Sequence, residues 1–290
     1  MDLRALGMGL AFAVMWSSAF TSARIIVAAA PPLTALSLRF LISGVLGVLI
    51  ARALGQSWRL TPPQWRATIV FGVCQNALYL GLNFVAMQTV EAGLAAIIAS
   101  TMPLLVGLAG WMIFGERIGV LGQVGLVAGV IGVTIIMGAR LQGGVDLYGL
   151  SLCVVGVVAL TFATLAVRGA TSGGNFLMVV GLQMLVGSAV LGVAAAAFET
   201  VVIDWSWGLV AAFAYTTLVP GLAATLVWFR LVNRIGAVKA ATFHFLNPFL
   251  GVAIAAAILG EHLGLREILG VAVIAAGILA VQLSKQRRRA

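Results

Sequence analysis

Long apolar segments, each about 20 residues or more, follow one another along almost the whole chain and are separated by short polar breaks. An α-helix needs about 20 apolar residues to cross the roughly 30 Å hydrocarbon core of a bilayer. The segments do not alternate apolar and polar residues as the strands of a membrane barrel do, so we predict an all-α integral membrane protein. Ten transmembrane helices, spans 1 to 10 in chain order, are predicted at residues 5–28, 33–54, 65–88, 91–114, 119–138, 147–168, 176–198, 207–232, 236–259 and 265–284.

The chain carries two copies of one pattern, offset by 145 residues, which is half of its length of 290. Pro103-Leu104-Leu105 corresponds to Pro248-Phe249-Leu250, and Gly115-Glu116 corresponds to Gly260-Glu261. These matches carry weight because Pro and Glu are rare in this sequence, whereas the accompanying Ala and Gly matches are not distinctive.

The repeat and the number of spans together predict an inverted arrangement. We expect a first five-helix repeat at residues 1–145 and a second at residues 146–290. Because five is an odd number and the chain is continuous, the second repeat enters the membrane from the opposite face. Such repeats are related by a pseudo-two-fold axis in the membrane plane, and they typically surround a shared site near the midplane.

Composition excludes a water-soluble protein. The chain is 62% hydrophobic and 9% charged, whereas soluble domains carry about 25% charged residues. The net charge of +9 does not indicate nucleic-acid binding, because the basic residues lie between apolar segments and in a C-terminal tail that suits anionic lipid. The expected partners are membrane lipid and a small-molecule substrate, without nucleic acid, for a monomer or a weak homodimer.

The distribution of Lys and Arg predicts the orientation. If the N-terminus is cytoplasmic, most basic residues fall at cytoplasmic ends of spans, as the positive-inside rule requires. These residues are Arg4, Arg52, Arg59, Arg66, Arg117, Arg168, Arg230, Arg234, Lys239, Lys285, Arg287, Arg288 and Arg289. Arg24 and Arg39 lie within spans 1 and 2, towards their far ends, where long side chains can extend to the interface. We therefore predict both termini in the cytoplasm.

Polar and aromatic side chains within the spans are candidates for a substrate cavity, because such residues are costly in lipid and tend to face the bundle interior. Tyr79 and Asn83 are four residues apart on one helix face, and Gln75 extends that face by a turn. The candidate substrate-binding residues are Trp16, Ser17, Phe20, Gln75, Tyr79, Asn83, Trp228, His244 and Asn247. Ordinary interhelical hydrogen bonds and core packing are the alternative roles for each of them.

Two further features concern helix geometry. Pro103 and Pro248 occupy equivalent places within spans 4 and 9, where each removes a backbone donor, so they predict either hinges or fixed kinks. Pro220-Gly221 and Gly72 predict further bends in spans 8 and 3. Small residues along spans 5 and 10 predict a tight helix pair or a dimer seam, with ordinary helix packing as the alternative.

The sequence contains few of the residue patterns that enzymes use for catalysis. It lacks the motifs of zinc proteases, α/β-hydrolases and P-loop proteins, and Cys74 and Cys153 have no metal-ligand spacing. We expect no catalytic residues, no metal and no cofactor. His244 is the one ionisable group near the predicted membrane centre, so strong proton coupling is disfavoured although His244 keeps it possible.

Two segments resemble a known family signature: AGLAAIIASTMPLLVGLAGWMIFGE at 92–116 and AVKAATFHFLNPFLGVAIAAAILGE at 237–261. With AFAVMWSSAFTSARIIV at 11–27, they resemble proteins of the drug/metabolite transporter superfamily with two EamA domains, and bacterial inner-membrane aromatic amino acid exporters in particular. The resemblance implies a bundle of spans 1–4 and 6–9 around a cavity, with spans 5 and 10 to the side, and no cofactor. Residues at positions on the spans that the family uses for its cavity are Trp16, Tyr79, Asn83, Pro103, His244 and Pro248.

These arguments predict a secondary transporter of the inner membrane that moves small metabolites. The resemblance implies export of amino acids, aromatic and other neutral ones, and the inverted repeats predict alternating access around a central cavity. The alternatives are a passive channel and a membrane subunit that transports nothing.

Overall fold

The computed structural model describes residues 2–116, 119–142, 144–166, 173–262 and 264–287, and every regular element among them is helical. Ten helical segments are long and apolar enough to cross a membrane. Six spans are continuous helices: span 1 (Leu3–Val27), span 2 (Pro32–Ala53), span 5 (Val120–Gln142), span 6 (Leu147–Ala166), span 7 (Phe176–Phe198) and span 10 (Leu265–Arg287).

The other four spans are interrupted. Span 3 consists of Pro62–Phe71, a π-helix at Gly72–Tyr79, and Leu80–Ala86. Span 4 consists of Ala92–Ser100 and Met102–Phe114. Span 8 consists of Trp207–Leu218, a π-helix at Val219–Ala223, and Ala224–Ile235, and span 9 consists of Ala237–Ala241, a 3₁₀-helix at Thr242–Leu246, and Asn247–Leu259.

The sequence prediction of ten all-helical spans is confirmed, and the predicted bounds differ from the observed ones by a few residues. Hydropathy locates spans well because the length of a span is set by the thickness of the bilayer. Four basic residues used for the predicted orientation, Arg117, Arg168, Arg288 and Arg289, lie outside the described residues.

The interrupted helices of the first repeat correspond to those of the second repeat at the 145-residue offset. Shifting the π-helix at Gly72–Tyr79 by 145 residues places it at 217–224, which contains the π-helix at Val219–Ala223. In span 8 the cause is Pro220, which has no N–H to donate to the preceding turn. The broken helices of spans 4 and 9 correspond in the same way, because Pro103 and Pro248 are each the second residue of the helix that follows the break.

The helices group into two compact units. The first unit contains the described parts of residues 1–21, 89–150 and 223–290, and the second contains those of 22–88 and 151–222. Each unit therefore draws on both repeats, which are consecutive in sequence. A span of one repeat packs against its counterpart in the other repeat within each unit.

In the first unit, spans 5 and 10 approach so closely that the glycines facing the partner span have no room for a side chain. A Cβ on Gly125 would lie 2.7 Å from the carbonyl oxygen of Gly277, and one on Gly132 would lie 2.8 Å from that of Gly270. Gly125 and Gly132 correspond by the 145-residue offset to Gly270 and Gly277, so each glycine packs on the counterpart of the other. This reciprocal pairing is the mark of a two-fold axis, and it makes spans 5 and 10 a tight pair within one chain.

Spans 4 and 9 are joined through the Gly-Glu pairs of the repeat. Gly115 and Gly260 end these spans with φ of 64° and 68°, a left-handed conformation that favours glycine. The carboxylate of Glu261 then accepts hydrogen bonds from the backbone N–H groups of Ala92 and Gly93, at 2.7 and 2.9 Å. A carboxylate is favourable at a helix N-terminus, where backbone donors are otherwise unpaired. The end of span 9 therefore caps the start of span 4.

The second unit has the same kind of reciprocal cap between spans 2 and 7. The carboxylate of Glu199, after span 7, accepts from the backbone N–H groups of Leu33 and Thr34 at 2.8 Å. The side chain of Gln56, after span 2, accepts from the backbone N–H of Met178 at 3.0 Å. Met178 is the counterpart of Leu33 at the 145-residue offset. Each span starts where its counterpart ends, as inverted repeats require.

Candidate functional site

The first unit holds an aromatic–histidine group, defined as Phe12, Trp16, Trp228 and His244. The ring of Phe12 lies 4.6 Å from that of Trp228, 5.7 Å from that of Trp16 and 5.3 Å from the imidazole of His244, between centroids. The imidazole lies 5.2 Å from the Trp228 ring and stands edge-on to the Trp16 ring at 6.4 Å. Such tilted and edge-to-face arrangements are favourable for aromatic pairs. Spans 1, 8 and 9 each contribute to this group.

Local helix geometry determines which rings remain accessible. His244 lies in the 3₁₀-helix Thr242–Leu246, which precedes the Pro248 break and contains no fully buried residue. Phe12 is 2% exposed and backs the group, whereas Trp16, Trp228 and His244 are partly exposed. The two indole rings and the imidazole are therefore partly exposed, and the buried phenyl ring of Phe12 packs behind them.

Hydrogen bonds orient the imidazole. Nδ1 of His244 lies 2.9 Å from Nδ2 of Asn247. Nδ2 of Asn247 is a donor, so this contact is a hydrogen bond in the tautomer that carries the ring proton on Nε2. The hydroxyl of Ser17 lies 3.5 Å from both the backbone oxygen and Oδ1 of Asn247, which ties span 1 to span 9. Five of the predicted residues are thus brought together: Trp16, Ser17, Trp228, His244 and Asn247.

Phe20 is a predicted site residue that does not join this group. Its side chain is 8% exposed, and within the described ranges its ring makes no ring–ring contact. Phe12, which the sequence analysis did not select, holds the central position instead. Its spacing of four residues from Trp16 places both on one face of span 1, and that spacing was the available signal.

The second unit holds Gln75, Tyr79 and Asn83. Tyr79 and Asn83 are buried, and Nδ2 of Asn83 donates to the backbone oxygen of Tyr79 at 2.8 Å. Oδ1 of Asn83 is buried and accepts no hydrogen bond from the part of the chain that the structure describes. Gly156 of span 6 allows this close packing, because a Cβ there would lie 2.8 Å from Nδ2 of Asn83.

Gln75 is partly exposed, and it lies in the π-helix with Tyr79. A π-helix has i→i+5 hydrogen bonds, so a spacing of four residues no longer ensures a shared face. A hydrogen bond joins Tyr79 and Asn83, whereas the shared face of Gln75 with these two residues stays a prediction. The predicted residues form two groups, one in each unit, and a common cavity stays a prediction.

Arg39 is the ionisable residue whose place the sequence analysis did not foresee. Its side chain was expected to extend to the far interface, but the residue is 6% exposed and its Nε donates to the backbone oxygen of Thr216 at 3.1 Å. The signal was Pro220, four residues after Thr216, because proline leaves that carbonyl without its helical donor.

Residues able to bind a metal do not cluster: within the described residues no group of three or more His, Cys, Asp or Glu side chains could hold an ion. Cys74 and Cys153 are free thiols. The two groups offer aromatic surface and amide and imidazole hydrogen-bonding groups, and Arg39 adds a buried guanidinium in the second unit. These features suit reversible binding of a small organic solute rather than a covalent reaction.

Comparison with known proteins finds the same family domain twice in the chain, in agreement with the two repeats. A family model described as the EamA-like transporter family matches residues 3–138 and 147–283. The chain is 27% identical over 278 residues to the uncharacterized transporter YvbV of Bacillus subtilis (strain 168), covering 96% of this chain and 91% of that protein. It is 28% identical over 282 residues to the uncharacterized inner membrane transporter YedA of Escherichia coli (strain K12), covering 94% of this chain and 88% of that protein. A solved crystal structure aligns over 100% of both chains with a TM-score of 0.69 at 21% identity, a likeness of fold alone.

Proposed function

Because the chain belongs to the EamA-like transporter family, we propose that it exports amino acids, aromatic and other neutral ones, across the bacterial inner membrane. The chain is a multi-pass membrane transporter with two EamA repeats. Substrate class and direction are the proposed parts, and alternating access is the proposed mechanism.

The observation that carries the substrate proposal is the aromatic–histidine group. The partly exposed rings of Trp16 and Trp228 suit an aromatic or aliphatic side chain, which packs well on flat π-surfaces. Within the described part of the chain Nε2 of His244 makes no hydrogen bond, so it is available to a polar group of a solute. A solute with an apolar side chain and a polar head group is the class that this combination fits.

Alternating access is supported by the paired interruptions of the helices. Spans 4 and 9 break at Pro103 and Pro248, and spans 3 and 8 carry π-helices at corresponding places. Inverted repeats give one set of such breaks to each membrane face, so two similar conformational changes can open the protein to either side. We propose that Pro103 and Pro248 are the hinges of these changes.

The inner membrane and cytoplasmic termini complete the proposal. The relative YedA is named as an inner membrane transporter. Basic residues of the described part, such as Arg52, Arg59 and Arg66 between spans 2 and 3, lie where the positive-inside rule requires them for this orientation.

The test is efflux from liposomes that contain only the purified protein and labelled phenylalanine or leucine. We expect saturable efflux that unlabelled aromatic amino acids inhibit by competition. Replacing Trp16→Leu or Trp228→Leu is expected to raise the half-saturating concentration about tenfold, because each change removes an aromatic surface worth about 1 kcal/mol beyond its area.

Trp111→Leu is the matched control, because Trp111 is 52% exposed and belongs to neither group. It should leave efflux unchanged. Saturable efflux of another solute class with no response to amino acids would overturn the substrate proposal. Efflux that rises linearly with concentration would indicate a channel, and absence of flux for every solute would favour a subunit that transports nothing.

A further inference from the structure

A guanidinium group is buried in the second unit beside the π-helix of span 8. Arg39 lies in the helix Pro32–Ala53, two turns from its start, and is 6% exposed. Its Nε donates to the backbone oxygen of Thr216 at 3.1 Å. Its guanidinium carbon lies 5.1 Å from the centre of the Phe40 ring, which can interact favourably with a cation.

Part of this arrangement has a structural cause. Pro220 has no N–H, so the carbonyl of Thr216 lacks the donor that an α-helix would supply four residues later. Arg39 Nε provides that donor. The next carbonyl, of Thr217, receives the hydroxyl of Ser43 at 3.2 Å. Two side chains of span 2 thus satisfy the carbonyls at the break, and each uses one donor to do so.

The remaining donors of Arg39 are not explained by the break. A guanidinium has five N–H groups, four of them on Nη1 and Nη2. Over the residues that the structure describes, neither terminal nitrogen has a hydrogen-bond acceptor and no carboxylate pairs with the group. A buried cation within a membrane span is costly unless an anion compensates it, and the described part of the chain supplies none for Arg39.

A glycine lies beside the terminal nitrogens of Arg39. Gly221 lies next to Arg39, and a Cβ there would touch Nη2 at 3.6 Å and crowd Ser43 Oγ and the Thr216 oxygen at 3.2 Å. A glycine at this position keeps that volume open. Two parallel N–H groups of a guanidinium match the two oxygens of a carboxylate.

We propose that Nη1 and Nη2 of Arg39 bind the anionic group of the transported solute, a carboxylate, in the second unit. This inference rests on the proposed function, since it names the feature of the amino acid that is recognised there. It makes Arg39 a substrate-binding residue and predicts that solutes without an anionic group bind less well.

The test compares matched ligands on the protein purified in a maltoside detergent. Phenylalanine is compared with phenylalaninamide, which replaces the carboxylate by a neutral amide, and benzoate is compared with benzamide. Affinities are measured by calorimetry for the wild type, Arg39→Gln and Ser43→Ala. We expect the wild type to prefer each acid over its amide by about 10-fold to 100-fold, because a hydrogen bond to a charged group is worth that much in affinity.

Arg39→Gln is expected to abolish the preference while leaving the affinity for the amides within about twofold. Ser43→Ala is the matched control, because it removes the other side chain that satisfies the break and keeps the charge. It should retain the preference. A lower unfolding temperature for Arg39→Gln with an unchanged acid-to-amide ratio would overturn the proposal and leave Arg39 a purely structural role.

If Arg39→Gln does not fold, a second variant at the same position tests the proposal. Arg39→Lys keeps the charge but loses the planar pair of donors, so we expect it to keep the sign of the preference and to reduce it. No reduction would overturn the proposal. Phenylalanine binding that is insensitive to Arg39 contradicts this inference but leaves amino acid export standing. A preference for benzoate that needs Arg39, without any binding of phenylalanine, supports the anion site and contradicts the amino acid substrate.

A lipid phosphate could supply the same anionic chemistry. In that case the wild type would retain an anionic phospholipid by native mass spectrometry, Arg39→Gln would lose it, and neither would discriminate acid from amide. That result would overturn the assignment of the solute as the anion.

Discussion

Asn83 combines full burial with an unsatisfied oxygen. Its Nδ2 is bonded to the Tyr79 carbonyl, but Oδ1 has no donor within the described residues. An unsatisfied buried polar atom costs about 1–3 kcal/mol, and residues of this kind are retained where function needs them. We therefore expect that replacing Asn83 changes the stability and the transport activity of the protein in opposite directions.

Replacing Asn83→Leu should raise the stability of the purified protein by about 1 kcal/mol and lower transport. Leucine has the same branched shape and leaves no polar atom unpaired. Thermal unfolding in detergent and liposome efflux measure the two effects. Thr21→Val is the control, because Thr21 Oγ1 is also buried without a partner in the described chain but belongs to neither group. A variant Asn83→Leu that unfolds at lower temperature would contradict the argument.

Asp146 gives a residue-scale prediction for pH. The hydroxyl of Thr89 donates to Oδ2 of Asp146 at 2.6 Å, and the backbone N–H of Gly149 donates to the same oxygen at 3.0 Å. These hydrogen bonds lower the pKa of Asp146, and the bond from Thr89 makes the largest contribution. A group whose pKa is depressed on folding stabilises the fold above its unfolded pKa of about 3.9.

That stabilisation is lost as the pH falls through the lower, folded pKa. We therefore expect the unfolding temperature to fall less steeply below about pH 4 in Asp146→Asn than in the wild type. Asp204→Asn is the comparison variant, because Asp204 is exposed and its carboxylate makes no hydrogen bond within the described residues. An identical acid profile for wild type and Asp146→Asn would contradict the prediction.

At the scale of elements, the helix ends are held by side chains from the opposite repeat. Glu261 caps span 4, and Glu199 and Gln56 cap spans 2 and 7. Charged caps at helix N-termini contribute about 1–2 kcal/mol when partly buried. These caps fix which span pairs with which, and they set the alignment of the paired spans along the membrane normal.

Glu261→Ala should lower the stability by about 1–2 kcal/mol and expose the first turn of span 4. Hydrogen exchange resolved at peptide level should show faster exchange of the amides of Ala92 and Gly93. His262→Ala is the neighbouring control, because His262 is exposed. Unchanged exchange at the start of span 4 would mean that the cap does not hold this helix end.

The glycine contact of spans 5 and 10 gives a second prediction for elements. A Cβ on Gly277 would lie 2.7 Å from the oxygen of Gly125 and 2.9 Å from the nitrogen of Gly129, both of them backbone atoms. Gly277→Ala should therefore destabilise the protein by about 1–3 kcal/mol, as overpacking does. Gly138→Ala, in span 5 with no atom within 4 Å of the added Cβ, should be neutral or stabilising. Equal unfolding temperatures for the two variants would contradict the tight pair.

The sequence predicted the spans, the repeat and the places where helices are interrupted, at Gly72, Pro103, Pro220-Gly221 and Pro248, but not the type of helix found there. Span positions follow from local hydropathy, and the inverted relation follows from an odd number of spans per repeat. The π-helices at Gly72–Tyr79 and Val219–Ala223 shift residues around the helix, so the face of Gln75 could not be predicted from α-helical spacing. Arg39 was misplaced because its carbonyl partner at Thr216 lies on a span that is 177 residues away in the chain.

At the scale of the whole molecule, the two inverted repeats provide similar structural elements for both faces of the membrane. Glycine pairs and broken helices each occur twice, at places related by the 145-residue offset, and spans 2 and 7 cap each other. Inverted repeats of this kind supply two similar gates in known transporters, and we propose that this protein uses such gates to release a solute on either side without an open pore. The central claim is therefore that this transporter is a carrier of amino acids, not a passive pathway.

The most direct measurement is counterflow. Liposomes that contain the purified protein are loaded with unlabelled phenylalanine and diluted into a trace of labelled phenylalanine. A carrier that exposes its site to one face at a time predicts transient accumulation of label inside, well above equilibrium with the outside, with loss of that overshoot in Trp16→Leu and its retention in Trp111→Leu. Label that only approaches the outside concentration, at a rate independent of the internal amino acid, would contradict the account.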